Sequence, residues 1–212
     1  MATNADKKER MKELWGNQQL KQNLVCSCVY WLLGSFNFFL ITFYLKRFPG
    51  SIYTNSMCYA FADITAFLCS GGVLKFFTIQ QGLCFSYSVS VAAGVAYLVF
   101  WDAEASWVIP AIVWFCRVGG AMSFNIGYVS VGKLFPPKYV SSVFGVVNMV
   151  SHFITVAAPL TAELKDPFPF LIFTANAGFA IFATFGLVEL DRAKKTKVGV
   201  AKKRKMIEER ER

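Results

Sequence analysis

Apolar residues dominate long uncharged stretches of this chain, and short polar or proline-bearing clusters separate them. A helix that crosses a bilayer needs roughly 20 apolar residues in a row. Stretches of that kind predict spans at about 23–46, 53–77, 83–101, 107–132, 139–161 and 167–190. Lys46-Arg47-Phe48-Pro49-Gly50 ends the first, and Gln80-Gln81-Gly82 marks a turn between the second and third. Trp101-Asp102-Ala103-Glu104 closes the third, with its tryptophan at interface depth. Lys133-Leu134-Phe135-Pro136-Pro137-Lys138 parts the fourth from the fifth, because paired prolines cannot continue a helix. The pattern predicts an all-α membrane protein of six transmembrane helices spanning 23–190, between polar tails at 1–22 and 191–212.

Composition agrees with the pattern. Hydrophobic residues make up 55% of the 212 positions and charged residues only 17%, below the quarter or so usual in soluble domains. A soluble fold would have to hide several uncharged runs longer than its core could accept. The net charge of +9 suggests a nucleic-acid partner only until its placement is considered. Lys7, Lys8, Arg10, Lys12 and Lys21 sit in the first tail, and Arg192, Lys194, Lys195, Lys197, Lys202–Lys205, Arg210 and Arg212 in the second. Basic residues flanking spans mark the cytoplasmic side and attract anionic lipid headgroups. Lys75, Lys133 and Lys138 fall on the side of the tails, whereas Lys46, Arg47 and Lys165 share the other side with Asp102, Glu104, Glu163 and Asp166. Both termini are therefore expected in the cytoplasm, with membrane lipid as a partner and no nucleic acid.

Candidate chemistry is sparse. The cysteines at 26, 28, 58, 69, 84 and 116 all lie in apolar runs without CxxC spacing, so neither a disulfide framework nor a metal site is indicated. The chain has no GxxxxGK[ST], GxGxxG or HExxH motif, and no cofactor or enzymatic activity is expected. A six-span intramembrane serine protease would pair Ser70-Gly71-Gly72 with His152. However, Leu68-Cys69-Ser70-Gly71 lacks the first glycine of GxSG, and the serine falls too early in the chain. Ionisable groups inside a span are costly and face a cavity or a partner; here they are Asp63, Arg117 and His152. Asp63 and Arg117 either pair with each other or line a pathway. His152, the sole histidine, is either a packing residue or a proton relay. Gly119, Ser123 and Gly127 recur every fourth residue and suit close helix packing.

The fourth and fifth spans carry recognisable text. Arg117-Val118-Gly119-Gly120 precedes Phe124-Asn125-Ile126-Gly127-Tyr128 and then Lys133-Leu134-Phe135-Pro136. Gly145, Asn148, Ser151-His152 and Ala158-Pro159-Leu160 follow. This text resembles the tenth and eleventh helices of the major facilitator superfamily, in particular its organic cation/anion transporter branch. Leu14-Trp15, Leu20-Lys21-Gln22-Asn23, Trp31 and Pro49-Gly50-Ser51-Ile52-Tyr53-Thr54-Asn55 agree more loosely, so the resemblance spans roughly residues 14–190. Three departures stand out. Gly132-Lys133 replaces the glutamate of the branch's Tyr-x-x-Glu-Leu-Phe-Pro. The basic motif between the eighth and ninth helices shrinks to Lys75-Phe76-Phe77 and Gln80-Gln81-Gly82. Only one six-helix half is present.

The resemblance implies half of a major-facilitator-type bundle, moving a small organic solute by alternating access at an interface with a second half. That second half would be a separate chain or a second copy, and the hydrophilic opening resembles the family's central cytoplasmic loop. His152 stands seven before Pro159, where the family places a cavity-lining charge. An imidazole there favours neither anions nor cations. Asn37, Tyr44, Asn125 and Asn148 are further pathway candidates, each equally suited to bonding a neighbouring helix. The alternative is a facilitator-derived scaffold, or a truncated transporter fragment, that transports nothing.

Overall fold

A computed structural model describes residues 15–47, 51–101 and 108–189. Residues 1–14, 48–50, 102–107 and 190–212, with most of the tail charges and Asp102 and Glu104 among them, lie outside the described residues. Helices run at Gln18–Tyr44 (α1), Ile52–Phe76 (α2), Ile79–Phe100 (α3), Val108–Leu134 (α4), Pro137–Thr155 (α5), Ala158–Ala162 (α6) and Phe168–Phe185 (α7). Among the described residues there is no strand. With α5 and α6 taken as one stretch, Pro137–Ala162, six helical segments are long and apolar enough to cross a membrane. Helices suit that setting because every backbone polar group is satisfied within the segment.

Local chemistry sets where these helices begin. Asn17 caps α1 by accepting from Gln19 N, and Ser51 caps α2 by accepting from Tyr53 N. Thr78 and Gln81 form a reciprocal capping box that starts α3 at Ile79, several residues before the expected 83. Gln80 and Gln81, which read as a turn in the sequence, are thus first-turn helix residues. Pro137 occupies the first turn of α5, where its missing N–H costs nothing. Pro159 acts differently. It has no N–H to offer Thr155, so the fifth span breaks at Val156–Ala157 and restarts as α6. Ala157 N bonds Ile154 O at 2.9 Å and Thr161 N bonds Ala157 O at 3.0 Å across the break.

Burial separates the helices into a spine and its flanks. The most apolar window is 56% buried in α1 and α4, but only 17% in α2 and 22% in α5–α6. Helix α4 packs against α3, α2 and α1, while α1 also packs against α5, α6 and α7. Small residues permit the closest approaches. A Cβ on Gly119 would stand 2.8 Å from Ser90 N of α3, and one on Gly127 would stand 2.9 Å from the Trp31 ring of α1. Ser123, between them, is buried and bonds Gly120 O at 2.8 Å. Contact dispersion rather than water-driven burial holds such helices together in lipid.

Candidate functional site

Two ionisable residues meet on the seam between α2 and α4. Arg117 Nε donates to Asp63 Oδ1 and Nη2 donates to Oδ2, both at 2.7 Å. Nη1 donates to Thr42 Oγ1 at 2.7 Å and to Phe38 O at 3.2 Å, both on α1. The guanidinium carbon lies 3.9 Å from the Phe38 ring centroid and 5.5 Å from that of Tyr59. Arg117 is 6% exposed, whereas the Asp63 side chain is 42% exposed. A buried charge needs this degree of compensation, and the planar fork of arginine supplies it bidentately. The pair therefore has one buried member and one that opens outward.

It opens into a cleft of about 260 Å³ lined by Phe38, Asp63, Phe67, Ala121, Phe124 and Asn125. An aromatic wall continues from that cleft along α1, α4 and α5. Phe38 stacks on Phe124 at 5.0 Å and 15°, and Phe124 meets Tyr128 edge-on at 5.0 Å. Trp31 lies 4.8 Å from Tyr128 and 5.8 Å from Phe144 between ring centroids. The Trp31 indole N–H is buried without a hydrogen-bond partner among the described residues. Sequence reasoning did not mark these rings as a wall. The i, i+4 pair Phe124/Tyr128 and the i, i+7 pair Trp31/Phe38 were the available signal.

The other candidates are dispersed. Asn125 lines the cleft beside Asp63. Asn37 is buried against α7 instead, donating to Phe173 O at 3.0 Å. Asn148 donates to Phe144 O within its own helix at 2.9 Å. His152 lies on the exposed face of α5 and is not among the partners of the Asp63–Arg117 pair. Tyr44 sits at the far end of α1. There its hydroxyl bonds Asp166 Oδ1 at 2.6 Å and the Tyr97 hydroxyl at 2.7 Å.

That far end is a polar clamp. Lys46 pairs with Glu163, and Arg47 donates to the carbonyls of Glu163 and Leu164, tying α1 to the loop after α6. The Lys46 ammonium, hydrogen-bonded to Glu163, holds its carboxyl below the ordinary glutamate range, and Arg47 adds a smaller pull. The opposite end is tied as well. Asn23 donates to the carbonyls of Leu134 and Val188 and accepts from Val188 N, while Glu189 accepts from Ile79 N at the start of α3. The described residues contain no group of His, Cys, Asp and Glu side chains arranged to hold a metal ion.

No family profile matches the chain. Solute carrier family 22 member 6 of Danio rerio is 24% identical over 155 residues, covering 69% of this chain and 26% of that protein. The chain thus spans about a quarter of the length of the relative it matches. This distant likeness to a solute carrier, joined to six apolar membrane-length helices, describes a transporter-like, multi-pass integral membrane protein.

Proposed function

We propose that this chain is one six-helix half of a facilitator-type transporter that moves a small organic solute by alternating access. Its second half is a separate chain or another copy of this one, and both termini face the cytoplasm. The observation that carries the reading is the cleft beside Arg117–Asp63. A half-exposed carboxylate is costly against lipid tails. It is stable where a facing protein surface or a water-filled path covers it. The sparse burial of α2 and α5 also suits helices that border such a path. Arg117, Asp63 and Asn125 would contact the solute or hold its neighbours in place, and Asn148 and His152 would border the route from α5. Gly119, Ser123 and Gly127 keep the spine tightly packed while the halves rock.

Uptake of labelled small aromatic solutes, anionic, cationic and neutral, into cells expressing the chain tests this reading. The expected result is uptake of at least one solute above that of mock-transfected cells, reduced by Asp63→Asn and by His152→Ala. Uptake equal to the mock control across the whole panel sinks it. A non-transporting, facilitator-derived scaffold is the second reading. The link between α2 and α3, only Phe77 and Thr78, favours it because it leaves no room for a basic gating motif. The scaffold reading expects both variants to leave uptake unchanged.

A further inference from the structure

The charge of the solute follows from how the cleft spends its own charges. Asp63 contributes the carboxylate of the cleft wall, and Arg117 is the cation in contact with it. Their charges cancel in one bidentate pair, and the remaining Nη1 of Arg117 is taken by Thr42 and Phe38 O. The guanidinium face is covered by the Phe38 ring. An ionised solute entering here would shed hydration and meet no uncompensated countercharge, which costs more than it returns. A neutral planar solute escapes that penalty and gains ring contacts with Phe38, Phe67 and Phe124. Each carboxylate oxygen accepts more than one hydrogen bond. Asp63 can therefore take an N–H from a solute while still holding Arg117. The Asn125 amide on the same wall supplies a neutral donor for a solute carbonyl. Among the described residues, Asp63 is the one charged side chain in the cleft lining, and Lys46 is paired with Glu163 at the clamp.

We infer that the cleft between α2, α4 and α1 takes an uncharged, single-ring aromatic solute bearing a carboxamide-like donor–acceptor group. This rests on the transport-path reading. Benzamide, benzoate and benzamidinium share one ring and one planar head group and differ in charge, so they isolate the point. Their binding to the full chain in nanodiscs is measured by titration calorimetry. Benzamide is expected to bind at least about tenfold more tightly than either ion. Asp63→Asn leaves the guanidinium without its countercharge, so benzoate should gain about tenfold while benzamidinium gains nothing. A wild-type chain that binds benzoate or benzamidinium as tightly as benzamide overturns the inference but leaves the path reading standing. Binding of none of the three also overturns the inference, while the path reading stands or falls on the uptake panel. Should Asp63→Asn fail to fold, judged by its melting curve, the wild-type series alone decides.

Discussion

Arg117 and Asp63 show how much a single residue can decide. Removing one partner of a buried ion pair strands the other, at a cost of roughly 3–5 kcal/mol, whereas replacing both with apolar groups is often neutral. Arg117 is the buried member, so Asp63→Ala should lower thermal stability toward the lower part of that range. The double variant Asp63→Ala/Arg117→Met should recover most of the loss. Melting in detergent checks this, and equal melting temperatures for wild type and Asp63→Ala would show that the pair stabilises nothing. Glu163 makes a pH-dependent case. Its carboxyl is depressed by Lys46, so the clamp's contribution is complete above the unfolded glutamate value, about 4.3, and is lost as pH falls through the lower folded value. Carbon-13 NMR titration should place the Glu163 midpoint below that of a free glutamate. In Lys46→Met the midpoint should move up; an unmoved midpoint would remove Lys46 as the cause.

Helices respond to substitution according to which face is paired. A Cβ at Gly119 would meet backbone of α3, with Ser90 N at 2.8 Å and Ser86 O at 3.1 Å. Backbone cannot rotate aside as a side chain can, so Gly119→Ala should destabilise by about 1–3 kcal/mol. Gly145 on α5 has nothing within 4 Å of the position its Cβ would take. Gly145→Ala should be neutral or stabilising by up to about 1 kcal/mol, the helix preference of alanine over glycine. Paired melting curves for the isolated chain distinguish the two. A destabilised Gly145→Ala would mean that another surface already packs there. The α3 capping box offers a third comparison: Thr78→Ala should cost about 1 kcal/mol by unpairing Gln81 N.

The whole bundle has a polarity that its helices share. At one end Lys46 and Arg47 are held by Glu163 and by loop carbonyls, while Lys21, Lys75, Lys133 and Lys138 gather at the other. Cytoplasmic loops carry the excess of lysine and arginine. Cysteines placed in the Glu163–Asp166 loop should therefore react with a membrane-impermeant thiol reagent added to intact cells. An epitope after Leu190 should be reached only after permeabilisation. The reverse pattern would invert the proposed topology and, with it, the side from which a solute enters the cleft.

Run length without charge is a property of the chain itself. Since a bilayer demands only length, apolarity and internal hydrogen bonding, six helices were legible before any fold was known. Helix ends were less so. Gln80 and Gln81 read as a turn, but the capping box between Thr78 and Gln81 makes them helix. Pro159 lay inside an apolar run, and its effect depends on which carbonyl it leaves unbonded. The candidate site was legible as residue types and no further. Asp63, Arg117 and His152 stood out because charge is rare in a span. That the first two bond across 54 residues, and that His152 joins neither of them, follows only from how α1, α2, α4 and α5 pack. The charge presented by the cleft is likewise no property of any one residue. It is the sum over side chains that folding brings within hydrogen-bond reach, and the sequence alone supplies the terms without the distances.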